Sequence, residues 1–109
     1  MCQMAEVVLD FGRITTWKDF HAECKRVMGF PDFYGANMNA WVDCLSYMTN
    51  GGDGMSRFIL ENDEVLTIHL MNTRATQSAM LDTVTTCATE VNERYITTGD
   101  IPRIKLVVT

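Results

Sequence analysis

Apolar residues recur along this chain with two different periods. Residues 5–11, 65–70 and 103–109 are short apolar runs, and in the last of them Ile, Leu and Val alternate with other side chains. Runs of this length and composition predict buried strands. Residues 57–60, before a turn at 61–64, could add a further short strand.

Three other segments repeat their apolar residues at helical spacing, and the first of them has clear boundary signals. It begins at a Thr15 or Thr16 cap, and Asp19 stands where a capping box needs a carboxylate. Gly29 is a natural residue to end this helix. Pro31 keeps the residue before it out of the α region, so the first helix cannot run into the next element.

The second helix is predicted from Asn37 or Met38 to Met48, with Asn37 as a plausible N-cap. The core side of this helix, spaced i, i+3, i+4 and i+7, comprises Trp41, Cys44, Leu45 and Met48. The opposite face, which we expect to be available to solvent, comprises Asn39, Val42, Asp43 and Ser46. A glycine-rich loop follows at 50–54, and a third helix is predicted from 75 or 76 to 94.

The predicted element order is therefore β-α-α-β-α-β. Strands that are separated by helical crossovers form parallel sheets, so the pattern predicts an α/β fold with a small three-stranded parallel sheet covered by helices. A chain of 109 residues can bury a real core. We expect a single domain over residues 1–109.

Residues 30–46 are the most distinctive stretch, because a proline-started aromatic loop leads there straight into the second helix. The loop is short, so we expect one ring of Phe33 and Tyr34 to pack inward and the other outward. Gly35 is expected to bend the backbone. No Lys or Arg occurs from position 27 to 56, which leaves Asp43 without a basic neighbour in sequence. An exposed aromatic ring beside an unneutralised acidic helix face suits a basic protein partner.

Charge and composition narrow the function classes. A net charge of −5 argues against a nucleic-acid partner and against anionic membrane surfaces. It permits a basic protein partner that approaches under electrostatic steering. The N-terminal residues do not form a signal peptide and no apolar run reaches membrane-span length, so we expect a cytoplasmic location.

The sequence predicts no metal site, cofactor or catalytic motif. Cysteines stand at positions 2, 24, 44 and 87 without zinc spacing, and we interpret them as reduced thiols, three of them inside predicted helices. A Cys24–Cys44 or Cys44–Cys87 disulfide is the alternative. His21 and His69 are interpreted as structural histidines, since a Cys44–His69 catalytic pair is supported only by its residue types.

The loop and second helix also resemble the defining segment of barstar-type proteins, small intracellular inhibitors of secreted microbial ribonucleases. The family pattern of Pro, Tyr, Gly, Asn, Ala, Asp and Cys is matched without a gap by Pro31, Tyr34, Gly35, Asn37, Ala40, Asp43 and Cys44. The resemblance implies a barstar-like fold and a non-enzymatic inhibitor or immunity protein. Its partner would be a basic ribonuclease or related toxin, bound one to one.

The resemblance also implies which residues bind the partner. Asp43 matches the position whose carboxylate enters the ribonuclease active site in place of a substrate phosphate. Phe33 matches an exposed aromatic contact, and Gly35 and Asn37 match contact positions, although Asn37 can equally be only a helix cap. The predicted partner-binding residues are Phe33, Gly35, Asn37, Asn39, Val42, Asp43 and Ser46.

Some positions depart from the family pattern and put the exact target in question. Asn39 stands where relatives often carry a second carboxylate, and Val42 stands where some have a tryptophan. Relatives also contribute a carboxylate from the late helix. Asp82, Glu90 and Glu93 are all candidates for that position by spacing.

Two alternative functions remain open at the level of sequence. The same fold could bind a non-ribonuclease toxin or a regulatory protein through the same helix face. A less favoured alternative is a small α/β phosphoacceptor module, which only Asp10 at the end of the first strand suggests. Receiver-type domains need a cluster of acids at the strand ends and about five βα units.

Overall fold

The computed structural model of the chain describes residues 5–49 and 54–109. Within these ranges the elements are β1 (Ala5–Asp10), α1 (Trp17–Met28), α2 (Met38–Leu45), β2 (Leu66–Met71), a 3₁₀ turn (Ala75–Gln77), α3 (Ser78–Thr97) and β3 (Ile104–Val108). The predicted order β-α-α-β-α-β is therefore confirmed. Position 2 and most of the predicted glycine-rich loop lie outside the described residues.

The three strands form one parallel sheet in the order β1-β2-β3, so β2 is central. Val7 lies opposite Ile68, and Ile68 lies opposite Leu106. Alternate strand residues such as these pack in one core with side chains of all three helices. Of the other strand residues, Val8 and Met71 are exposed and Thr67 and His69 are partly exposed, so the helices cover one face of the sheet.

Helix α1 begins and ends as its sequence predicts. The Thr16 hydroxyl accepts a hydrogen bond from the Asp19 backbone N–H at 3.2 Å, and Asp19 Oδ2 accepts one from the Thr16 N–H at 3.2 Å. This reciprocal pair satisfies two of the N–H groups that a helix start leaves free. Gly29 ends the helix in the left-handed region at φ 69°.

The segment from Arg57 to Leu60 is not a strand, so the further strand that the sequence left possible there does not form. Its backbone makes two separate contacts instead: the Arg57 N–H donates to the Met28 carbonyl at 2.9 Å, and the Leu60 N–H donates to the Met48 carbonyl at 2.6 Å. Phe58 and Leu60 are buried while the residue between them is exposed. The segment alternates buried and exposed residues as a strand does, but its backbone does not pair with a neighbouring strand.

The predicted helix boundaries shift slightly. Helix α2 ends at Leu45 and not at Met48, and α3 runs to Thr97 and not to Arg94. None of the helices in the described part of the chain is long and apolar enough to cross a membrane.

Candidate protein-binding site

A turn between Pro31 and Tyr34 places the two aromatic residues of the loop on opposite sides. The Tyr34 N–H donates to the Pro31 carbonyl at 2.9 Å, and Phe33 at the turn is 75% exposed. Tyr34 turns inward, and a hydrogen bond of 2.6 Å joins its hydroxyl to His21 Nδ1. The prediction of one inward and one outward ring is confirmed.

The inward ring ties the loop to α1. Burial lowers the pKa of His21 and raises the pKa of the Tyr34 hydroxyl, so both groups are neutral at pH 7. The His21 ring also stacks on Trp17, with centroids 5.9 Å apart. His21 is thus buried and hydrogen-bonded, as the sequence predicts for a structural histidine.

The left-handed residue of the loop is Ala36 and not Gly35. Ala36 has φ 52°, a left-handed conformation that a Cβ opposes, whereas Gly35 is outside that region. A Cβ at Gly35 would lie 3.1 Å from Asn37 Nδ2. The absence of a side chain at Gly35 therefore leaves room for Asn37, and the expected role of Gly35 in the bend is corrected.

Asn37 caps α2, as predicted. Its Oδ1 accepts a hydrogen bond from the Ala40 N–H at 2.8 Å, and its Nδ2 donates to the Gly35 carbonyl at 3.2 Å. The next exposed positions of the helix are Asn39 and Asp43, one turn apart, and Ser46 follows half-buried at the end of the helix. The loop and one side of α2 therefore form a continuous surface.

Val42 does not belong to that surface. Its side chain is 2% exposed and lies in the core cluster, so the expectation that it faces solvent is wrong. Helix α2 packs against α3 as well as against the rest of the core. A larger part of its surface is therefore buried than the apolar spacing predicts.

Asp43 is not an unpaired carboxylate. Arg94 of α3 donates from Nη1 to Asp43 Oδ1 at 2.8 Å and lies 3.4 Å from Ser46 Oγ. Glu90 Oε1 is 3.7 Å from Arg94 Nη2, one helical turn earlier. The hydrogen bond to Asp43 raises the pKa of the Arg94 guanidinium, which therefore stays charged.

A second carboxylate beside the loop has a basic neighbour too. Asp32 lies 3.7 Å from the Lys25 ammonium of α1. The prediction of an unneutralised acidic face is therefore wrong, because the cations come from other helices. Arg94 is 51 positions after Asp43, far beyond the window in which the sequence lacks Lys and Arg.

The carboxylates proposed for the late helix differ in their distance from this surface. Glu90 lies within ion-pair distance of Arg94, which links it to Asp43. Asp82 precedes Arg94 by about 18 Å along the helix axis, at about 1.5 Å per residue. The residue that α3 places directly against Asp43 is the cation Arg94, and not the carboxylate that the resemblance implies.

The chain matches a known protein family over most of its length. The family described as Barstar (barnase inhibitor) matches residues 4–107.

This chain belongs to the barstar family. The resemblance in the loop and α2 is thereby confirmed, and the match covers nearly the whole chain. Comparison with curated proteins gives no significant match.

The end of α2 is held by a tyrosine that is not among the residues predicted from the sequence. The Tyr95 hydroxyl donates to the Leu45 carbonyl at 2.7 Å and accepts from the Met48 N–H at 2.9 Å. Tyr95 continues the buried stripe of α3, whose earlier members are Val84, Ala88 and Val91. That helical spacing is the signal that could have identified it.

The described thiols are poorly suited to nucleophilic chemistry. Cys24, Cys44 and Cys87 are free, and burial raises the pKa of each thiol, which disfavours the reactive thiolate. Cys44 is buried in the core, whereas His69 is on the other face of the sheet, 3.6 Å from Glu6 Oε1. The Cys44–His69 pair does not form.

Asp10 has local partners that account for its position. Its Oδ1 accepts from the Gly12 N–H and from Asn72 Nδ2, each at 2.9 Å, and these bonds lower the pKa of the carboxyl. Within residues 5–49 and 54–109, no three His, Cys, Asp or Glu side chains are placed to hold a metal ion. These contacts give Asp10 a structural role at the end of β1.

Proposed function

We propose that this barstar-family protein is an inhibitor and not an enzyme, and that it blocks the active site of a basic microbial ribonuclease or related toxin. It binds the toxin one to one and protects the cytoplasm of the cell that makes it. The observation that carries this proposal is Asp43, an exposed carboxylate on the helix that directly follows the loop with the exposed Phe33 ring. Both residues lie in the segment that resembles the family.

The two groups supply complementary kinds of binding energy. Phe33 offers an apolar ring that is already exposed, so the protein need not rearrange to bury it against a partner. Asp43 offers an anion that can form charge-assisted hydrogen bonds with arginine or histidine once the interface excludes water. A carboxylate of this kind can occupy the place of a substrate phosphate in a basic cleft.

The other members of the proposed interface surround these two groups. Asn39 and Ser46 lie on the same side of α2 as Asp43, and Gly35 and Asn37 connect that side to the aromatic turn. Asn37 has a double role, because the amide that caps α2 is also exposed at the surface. Val42 supports this surface from inside the core and is not proposed as a contact.

The test is a calorimetric titration of this protein into a small basic ribonuclease of the barnase type, with Asp43→Ala in parallel. We expect saturable one-to-one binding that the substitution abolishes. The Asp43–Arg94 ion pair is exposed and such pairs contribute about 0–1 kcal/mol, so Asp43→Ala should still fold. Denaturant unfolding of the same samples checks this.

Asp82→Ala is the matched control, because it removes the same charge from α3 at a distance from Asp43. It should bind as the wild-type protein does. Equal loss in both variants would reduce the effect to net charge and contradict the role of Asp43. Binding by neither variant nor the wild-type protein would contradict the ribonuclease target.

A second candidate, a non-ribonuclease protein partner, is favoured by one observation. The carboxylate expected to meet a basic cleft already has an intramolecular cation at 2.8 Å, and Asn39 adds no second negative charge. A partner with a mixed-charge surface would fit this arrangement better than a uniformly basic one.

A further inference from the structure

Arg94 lies within the surface that the proposed function assigns to the partner. Its guanidinium contacts Asp43 at 2.8 Å and Ser46 at 3.4 Å, and the Glu90 carboxylate is 3.7 Å away. It remains about half-exposed, with 45% of the side chain accessible. A partner that covers Asp43 must therefore also cover or displace Arg94.

Arg94 could affect binding in two opposite ways. It could orient Asp43 and so help the partner, or it could compete with the cations of the partner for the same carboxylate oxygen. An exposed ion pair contributes little, so the benefit from orientation is small. Burial of a guanidinium next to further cations adds like-charge repulsion and loss of hydration, both of which are larger effects. Competition should therefore dominate when the partner surface is purely cationic.

A partner can remove this penalty if it supplies an acceptor. Arg94 has donors beyond the single Nη1 contact with Asp43, because a guanidinium carries five N–H groups. A carboxylate opposite Arg94 could bind it in the bidentate geometry that arginine favours. The same partner would still need a cation for the second oxygen of Asp43.

We propose that Arg94 is a specificity-determining residue of this surface. The cognate partner presents an acidic side chain opposite Arg94 beside the basic residues that meet Asp43, and a cleft lined only by cations is disfavoured. This inference rests on the proposed function, since it concerns the same surface.

The experiment measures the affinity of a barnase-type ribonuclease, a protein with a basic cleft, for the wild-type chain and for Arg94→Gln, Arg94→Glu and Arg94→Lys. We expect Arg94→Gln to bind about tenfold more tightly or better, because the competing positive charge is removed. The gain should be larger for Arg94→Glu, because a negative charge replaces the positive one. Arg94→Lys keeps the charge and should stay close to the wild-type affinity.

Arg26→Gln is the matched control. Arg26 donates to Glu23 Oε2 at 2.8 Å within α1, so this pair repeats the Arg94–Asp43 distance without involving α2 or α3. The control changes net charge by the same amount as Arg94→Gln and should alter affinity far less. An equal gain in both variants would reduce the effect to net charge and overturn the proposal.

The remaining outcomes separate this inference from the proposed function. Tight wild-type binding that Asp43→Ala abolishes and Arg94→Gln leaves unchanged or weakens would keep the inhibitor function and overturn the role of Arg94. Binding that appears only in Arg94→Gln and Arg94→Glu would support the role of Arg94 and would contradict a barnase-type ribonuclease as the cognate partner. Absence of binding in every variant would overturn both for this class of ribonuclease.

Discussion

At the scale of single residues, the aromatic loop before α2 depends on a conformation that its sequence does not favour. Ala36 holds φ at 52°, in the left-handed region, immediately before the cap of α2. Left-handed conformation costs an L-residue roughly 1–2 kcal/mol relative to the right-handed one. The neighbouring Gly35 leaves room for the Asn37 side chain instead. Ala36 therefore supplies the unusual backbone conformation that was expected at Gly35.

Ala36→Gly should therefore stabilise the protein. Removal of the Cβ relieves the left-handed strain, while the extra freedom of glycine in the unfolded chain costs about 0.4–1 kcal/mol, so we expect a net gain of about 0.5 kcal/mol. Urea unfolding measures the difference. Ala40→Gly, inside α2, is the control and should lose about 1 kcal/mol, because glycine is unfavourable in a helix. A loss at both positions would show that Ala36 is not strained.

At the scale of elements, α2 is a short helix whose two ends are held by side-chain hydrogen bonds. A helix of eight residues is not stable alone, so its order comes from contacts with the rest of the fold. Asn37 fixes the first turn, and the Tyr95 hydroxyl bridges the Leu45 carbonyl and the Met48 N–H beyond the last turn. The position of Asp43 on this helix thus depends on a tyrosine of α3.

Tyr95→Phe should lower stability by about 2–3 kcal/mol, because it leaves the buried Leu45 carbonyl and Met48 N–H without their partner. Denaturant unfolding measures the loss, and amide exchange should show faster opening at the end of α2. Tyr47→Phe is the control, since Tyr47 is 48% exposed and its hydroxyl can remain hydrated. Equal stability of the two variants would contradict the bridging role of Tyr95.

The sequence predicts those features of this fold that depend on local chemistry. The capping box of α1, the Asn37 cap, the positions of the three strands and the core side of α2 all follow from residue type and spacing. The features that sequence reasoning missed depend on long-range contacts. Val42 is buried in the core, on a helix that packs against α3, and Asp43 forms an ion pair with Arg94 of α3. That the whole chain forms a single domain stays a prediction.

At the scale of the whole molecule, a hydrogen-bonded pair of titratable residues, His21 and Tyr34, joins the aromatic loop to α1. His21 is buried between Trp17 and Tyr34, and the 2.6 Å hydrogen bond to the Tyr34 hydroxyl fixes the inward side of the turn that exposes Phe33. Protonation of His21 would place a charge in this cluster. The stability of the fold and the order of the loop should therefore respond together to pH.

Burial lowers the pKa of His21 below its ordinary value of 6.5, which fixes the sign of this response. As pH falls below 6.5 the unfolded chain binds a proton that the folded protein resists, so the free energy of unfolding decreases, by at most about 1.4 kcal/mol per pH unit. The contribution is fully present above pH 6.5 and is lost as pH falls toward the lowered pKa of the folded state.

Urea unfolding of the wild-type protein and His21→Gln between pH 7.5 and 5 tests this, at about half-unit steps through the range where histidine titrates. Glutamine does not titrate and can still bond the Tyr34 hydroxyl, so the variant should show a flatter profile even if it is less stable at every pH. His69 is present in both proteins, so it does not contribute to the difference between the two profiles. The carboxyls with lowered pKa, such as Asp19 and Asp100, act below this window because their ordinary value is 3.8. Parallel profiles for the two proteins would show that His21 binds protons equally in the folded and unfolded states, and that the loop is not coupled to pH through this pair.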